Sequence, residues 1–218
     1  MKFRFPELNS RAVFVGQTGS GKTTAARLML LRIPAYKFVI VYDVKGQMKR
    51  KEWPGFEFVS SFDELKKKAE LQSSGIYVYP KLVFQPNIYE VPDENDLEPA
   101  DRFFKFVYFR TNTVVYVDEV YGVTTGRRIP FHFKAILTRG RERGITCFMA
   151  TQRPAEIPQF ILSESENFYV FQLQMPQDKK RIREIKGIPE SAIEGLEKFE
   201  FLAATDSGYS TRKRKLVI

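Results

Sequence analysis

One cysteine, one histidine and one tryptophan occur among the 218 residues. A single cysteine, Cys147, excludes an internal disulfide, and Cys147 with His132 falls short of the ligand set a zinc site needs. Cys147 lies in an apolar, strand-like run and is read as a core residue. Long apolar runs are missing too. The best candidate, around Leu28 to Tyr42, is interrupted by Arg32, Pro34 and Lys37, so nothing approaches the roughly 20 apolar residues of a spanning helix. The opening MKFRFPELNS lacks the apolar centre of a signal peptide. These absences predict a soluble, intracellular protein without a transmembrane segment. No repeat, linker or low-complexity segment divides the chain, and its length suits one domain, residues 1–218.

Acid is in short supply. Lys and Arg number 35 against 26 Asp and Glu, for a net charge of +9. That balance favours a polyanionic partner, nucleic acid or an anionic membrane, without choosing between them.

What is present alternates between strand-like and helix-like segments. RAVFV runs into a glycine-rich turn, TTAARLMLLRI has helical spacing, and KFVIVYD is a second strand. SSFDELKKKAE starts like a helix capped by Ser60 or Ser61. GIYVYP is a third strand candidate, DENDLEPADRFFKFVYFR a helix, and TVVYVDEV a strongly apolar strand. A helix through FHFKAILTRGRER then precedes the strands ITCFMAT and FYVFQLQ, two short helices and a hairpin turning near Asp206–Gly208. The predicted class is α/β: a mostly parallel, doubly wound sheet flanked by helices, closing with a C-terminal β-hairpin.

GQTGSGKTT, from Gly16 to Thr24, fits G-x-x-x-x-G-K-[ST] between a strand and a helix. Residues Gly16, Gln17, Thr18, Gly19, Ser20, Gly21, Lys22, Thr23 and Thr24 are therefore assigned to ATP. Glycines let backbone N–H groups curl around the β-phosphate, and the helix N-terminus adds a positive dipole. Lys22 would reach the β/γ oxygens and Thr23 would offer its hydroxyl to Mg²⁺.

VVYVDEV supplies an acidic pair where a buried strand ends, beside the phosphates in such a sheet. Asp118 is the candidate to hold magnesium, and Glu119 the base for an attacking water. The pair favours hydrolysis over transfer to another substrate. Gln152 leaves the strand ITCFMAT, and a neutral amide there can hydrogen-bond both γ-phosphate and lytic water.

With these residues in view, the sequence resembles the FtsK/HerA superfamily of DNA-pumping P-loop ATPases. The resemblance rests on GQTGSGKTT, YDVKG, VVYVDEV and RGRERGITCFMATQRP, from about Arg11 to Pro154. Weaker similarity continues through IREIKGIPESAIEGLEKFEFLA. It implies a RecA-like core acting as a homo-oligomeric ring, commonly a hexamer, around double-stranded DNA. The membrane segments and end-reading domain of chromosome translocases are missing, and the chain has no room for the N-terminal barrel of HerA repair ATPases. A bare core of this size is most similar to the genome-packaging ATPases of membrane-containing icosahedral viruses. That likeness implies host cytoplasm or a virion vertex as the location, and a capsid or membrane-vertex protein as a further partner. A cellular or plasmid translocase is the alternative, followed by a nucleotide-gated DNA-binding adaptor with negligible turnover.

The dense RGRERG stretch is the remaining signal. As a continuous helix it places Arg139 and Arg143 on one face, with Arg141 roughly opposite and Gly144 past the end. Arg141 precedes the strand ending at Gln152, so it lies at the sheet edge away from its own phosphates. A strand of that length spans roughly 20 Å, beyond an arginine's reach. Arg141 also matches the family's arginine three residues before the Gly-Ile pair. It is the first candidate for a finger acting on a neighbouring subunit's ATP, and Arg139 the second. RFFKFVYFR reads as core and subunit interface, whereas MKRK, LKKK, DKKRIREIK and TRKRK are solvated faces or backbone contacts to DNA.

Overall fold

The computed structural model describes residues 8–34, 37–70, 80–86, 97–124, 128–210 and 213–216. Ten strands form one sheet: β1 (Arg11–Val15), β2 (Phe38–Asp43), β3 (Glu57–Val59), β4 (Lys81–Phe84), β5 (Thr113–Asp118), β6 (Thr146–Thr151), β7 (Asn167–Phe171), β8 (Glu200–Thr205), β9 (Gly208–Tyr209) and β10 (Arg214–Lys215). Their spatial order is β10-β8-β7-β1-β6-β5-β2-β4-β3, with β9 paired to β8. From β7 to β3 every pairing is parallel; β8 joins β7 antiparallel and turns back as a hairpin into β9. The mixed α/β fold with a mostly parallel sheet is the one the alternating pattern predicts.

Among the described residues seven α-helices cover it: α1 (Lys22–Leu30), α2 (Phe62–Glu70), α3 (Glu98–Phe109), α4 (Phe131–Arg139), α5 (Gln159–Ser163), α6 (Pro176–Lys186) and α7 (Glu190–Glu194). Alternate residues of β1 serve opposite cores, as a strand's period of two requires. Ala12 and Phe14 pack with Ala25, Met29 and Leu30 of α1 and with Trp53. Val13 and Val15 face the core shared by Leu65, Phe104, Phe133 and Ile182 of α2, α3, α4 and α6. β2 is buried along its whole length, which accounts for its unbroken apolar run. RFFKFVYFR is chiefly core: Phe103, Phe104 and Val107 are fully buried, and Phe104 stacks on Phe133 at 4.3 Å. Phe109 departs from this by facing outward.

The helix α2 begins where its cap signal lies. The Glu64 N–H donates to Ser61 Oγ (3.1 Å), and Glu64 Oε2 accepts from the Ser60 N–H (3.0 Å). Two expectations need correction and one lies outside the described residues. First, FHFKAILTRGRER is not one helix: α4 stops at Arg139 and Arg141–Arg143 form a separate 3-10 turn. Gly140 makes the tight junction, because a Cβ there would stand 2.3 Å from the Ile136 carbonyl oxygen. The helical projection of the three arginines therefore does not apply. Second, α5 and the short strands β3 and β4 fall in segments that pattern alone left as connections. The strand candidate GIYVYP, residues 75–80, lies outside the described residues except for Pro80.

Candidate functional site

Four strands deliver the site residues to one edge of the sheet. β1 ends at Val15 and hands the chain to the glycine loop, whose first turn is tied to its neighbours. Gly16 N–H donates to the Thr151 carbonyl (3.2 Å), and Gln17 N–H to the Gln172 carbonyl (2.8 Å). The Gln17 side-chain amide also donates to Gln172 Oε1 at 2.9 Å. Thr18 and Gly19 form the exposed tip, while Ser20 is buried and its carbonyl accepts from the Phe199 N–H at 3.0 Å. Gly21 has φ 116°, and a Cβ on it would meet the Phe199 ring at 2.9 Å, so only glycine fits. Lys22, Thr23 and Thr24 then open α1.

Lys22 is almost fully buried, with its ammonium donating to the Gln17 carbonyl at 2.9 Å. Burial lowers its pKa to about 8, against the opposing pull of Glu119 and Asp118. A cation kept this dry with one neutral acceptor is poised to exchange that acceptor for an anion.

Asp118 ends β5, level with Asp43 at the end of β2. Its Oδ1 accepts from Thr23 Oγ1 (3.1 Å) and from the Tyr116 hydroxyl (2.5 Å). Burial raises its pKa and the Asp43 charge adds to the rise, while the bonds from Tyr116 and Thr23 oppose it. The donor set fits Mg²⁺: oxygen ligands from one carboxylate and one hydroxyl, leaving the remaining positions to substrate and water. Among the described residues there is no cluster of three or more His, Cys, Asp or Glu that could hold a metal ion.

Glu119 sits in left-handed backbone conformation (φ 78°), rare for a non-glycine residue. Its Oε1 accepts from Thr151 Oγ1 (3.1 Å) and the Gln152 N–H (3.4 Å), and its Oε2 faces the Lys45 ammonium at 3.2 Å. The Gln152 side chain accepts from Thr18 Oγ1 at 2.7 Å, placing that amide against the loop tip. Sequence reasoning missed Asp43, Lys45, Tyr116, Thr151 and Phe199. An acid ending a second buried strand was a usable signal for Asp43; the packing of Phe199 over Gly21 left none.

The arginines of the 3-10 turn lie elsewhere. Arg141 pairs with Glu166, which also holds the Arg11 backbone N–H (2.6 Å) and guanidinium (2.7 Å) at the start of β1. That is the far end of the strand from the glycine loop. Arg143 is built into the fold: it donates to the Tyr108 carbonyl at 2.6 Å and lies 4.7 Å over the Tyr108 ring. Arg139 is exposed at the end of α4.

A strand–loop–helix phosphate cradle on a mostly parallel sheet, with an acid on the adjoining strand's end, defines a P-loop NTPase. No family model matches the chain. The DNA packaging ATPase P9 of Enterobacteria phage PRD1 is a homologue, 26% identical over 215 residues, covering 91% of this chain and 83% of P9. Among solved structures, the genome packaging NTPase B204 of Sulfolobus turreted icosahedral virus 2, in complex with AMPPCP, superposes with a TM-score of 0.73. It is 15% identical, over 96% of this chain and 99% of B204. VirB4 of Thermoanaerobacter pseudethanolicus superposes with a TM-score of 0.65 at 10% identity, over 95% of this chain and 89% of VirB4. The two solved structures share this chain's fold, and the similarity to a DNA packaging ATPase agrees with the resemblance read from the motifs.

Proposed function

We propose that this protein is the ATPase of a viral genome-packaging motor, hydrolysing ATP with Mg²⁺ to move double-stranded DNA. The reading rests on one observation above others. Lys22, the Thr23–Asp118 pair and Glu119 converge at one sheet edge, in a chain homologous to a packaging ATPase.

In this reading the backbone of Gly16 to Thr24 wraps the phosphates, and Lys22 leaves the Gln17 carbonyl for the β/γ oxygens. Thr23 and Asp118 would hold Mg²⁺, which would supply positive charge against the negative charge developing on the phosphate oxygens. Glu119 takes the proton of the attacking water. Gln152 turns from Thr18 to the γ-phosphate and reports whether it is present.

Arg141 is the finger supplied to the neighbour in a ring, favoured as a hexamer, with Arg139 the second choice. Its side chain is 62% exposed beside Glu166. An exposed ion pair is worth about 0–1 kcal/mol, so exchanging it for a neighbour's phosphate costs little. The same ring would work in the host cytoplasm or at a virion vertex, against a capsid or membrane-vertex protein.

Phosphate release, measured with and without double-stranded DNA, tests the activity; stimulation by DNA is expected, and negligible turnover would favour a nucleotide-gated adaptor. Mixing Arg141→Ala with Glu119→Gln subunits tests the finger. Each is expected to be inactive alone, and mixed rings should recover hydrolysis where a sound site meets a sound arginine. Absence of recovery in proven mixed rings would return Arg141 to DNA contact or a purely structural role. DNA affinity should fall steeply with salt, each neutralised phosphate adding about 0.9 to the log–log slope; a flat response would count against a DNA motor.

A further inference from the structure

Lys45 stands on the turn that follows β2, outside both phosphate-binding motifs, yet its ammonium enters the site. It lies 3.2 Å from Glu119 Oε2. Its charge is also felt at Lys22, where it helps to depress the pKa. Two ammonium groups thus share the neighbourhood of one acidic pair, Lys45 on Glu119 and Lys22 on the Gln17 carbonyl.

The turn beneath Lys45 is fixed. The Gly46 N–H donates to the Asp43 carbonyl at 3.2 Å. The fully buried Asp43 carboxylate accepts from the Met48 N–H (2.8 Å) and the Gln85 amide (2.6 Å). Val44 packs on Gly122, where an added Cβ would come within 2.6 Å of Val44 Cγ1. The backbone is therefore held on both sides, and against the segment that follows Glu119. The Lys45 side chain is not held in this way: it is 36% exposed and has a four-carbon stem on which to swing.

We propose that Lys45 is a second cation for the terminal phosphate of ATP, kept on Glu119 until that phosphate arrives. The inference rests on the assignment of this edge as the nucleotide site. Glu119 in its present state accepts from Thr151, Gln152 and Lys45 together. Both oxygens of a carboxylate so engaged are already occupied, so an approaching water must displace a donor or the cation to reach it. A γ-phosphate offers Lys45 more negative charge than one carboxylate does, and charge-assisted bonds to phosphate are strong. Transfer of the ammonium to the phosphate leaves Glu119 free to take a proton from water. ADP lacks that phosphate, so Lys45 stays on Glu119 and the base stays occupied.

The test compares affinities for ADP and AMPPCP, each with Mg²⁺, by calorimetry. Four proteins are compared: wild type, Lys45→Met, Lys45→Arg and Lys22→Ala. Lys45→Met should weaken AMPPCP about 10- to 100-fold, the worth of one charge-assisted bond, and leave ADP within about twofold. Lys45→Arg should recover most of the loss. Equal weakening of both nucleotides, or no change in either, would overturn the role of Lys45. Lys22→Ala separates the two levels: if it binds both nucleotides as wild type does, the nucleotide-site assignment itself fails.

Discussion

The two ends of the central strands differ in how they treat charge. At the carboxyl ends Lys22, Glu119 and Asp43 are buried, Asp43 Oδ1 has no partner, and Glu119 takes an unfavourable backbone conformation. At the amino ends Arg11, Glu166 and Arg141 form a more exposed network in which each charge meets its opposite. Unfavourable burial of this kind suits a site that an incoming charged group would relieve, and the proposed nucleotide phosphate with Mg²⁺ is a group of that kind. The opposite end is already satisfied and gives up little when it changes partner.

The largest expected effect comes from Glu119→Gln. The amide keeps the volume and can still accept from Thr151, but it cannot take a proton, so turnover should drop by about 10²–10⁴-fold with ATP still bound. Single-turnover kinetics would read this, and turnover near wild type would remove Glu119 from the reaction.

Lys22→Met should separate function from stability. Nucleotide affinity should fall by about 10- to 100-fold or more with the loss of charge-assisted bonds to phosphate. The nucleotide-free protein, however, should melt higher by roughly a few degrees. The reason is linkage. Burial brings the folded pKa to about 8, below lysine's ordinary 10.5, so between these values the unfolded chain binds the extra proton. Wild-type stability from this group should therefore rise with pH from about 8 to 10.5, and below 8 the cost of burying the ammonium is borne in full. Methionine removes that cost. A lower melting temperature for Lys22→Met at pH 7 would contradict the contrast between the two ends.

Much of this contrast was legible in the sequence, for physical reasons. β1, β5 and β6 are apolar runs of five or six residues that leave little choice but a buried parallel strand, and the glycine loop between β1 and α1 marked the proposed phosphate site. Lys22 and Thr23 follow from that loop's motif at the start of α1, and Asp118, Glu119 and Gln152 from strand ends. β3 and β4 have three and four residues, too few for a period to register. Lys45 reaches Glu119 from another strand's end, 74 residues away in sequence, and no local spacing encodes that; Tyr116 lies two residues before Asp118 on the same strand, a period-two signal that went unused. RGRERG misled because its composition suits a helix, while Gly140 has no room for a side chain and breaks the run there. The basic stretches lose part of their apparent reach as well. Lys179, Arg183 and Lys186 pair with Glu194, Glu190 and Asp206, and Lys213 and Lys215 with Glu200 and Glu197.

The smallest effect is the one that sharpens the comparison most. Arg141 and Arg143 sit two residues apart in the same turn, but their surroundings predict opposite outcomes for alanine. Arg143 donates to the Tyr108 carbonyl and covers the Tyr108 and Phe109 rings, so its loss strands a carbonyl and uncovers apolar surface. Arg143→Ala should cost about 1–3 kcal/mol in denaturant unfolding. Arg141 contributes an exposed pair with Glu166, and Glu166 keeps Arg11 when Arg141 is gone. Arg141→Ala should therefore cost less than about 1 kcal/mol. A near-silent change in stability together with a loss of ring hydrolysis is the signature of a residue acting on another subunit. If Arg141→Ala unfolds as readily as Arg143→Ala, the amino end of the sheet is a structural network and the finger must be sought at Arg139.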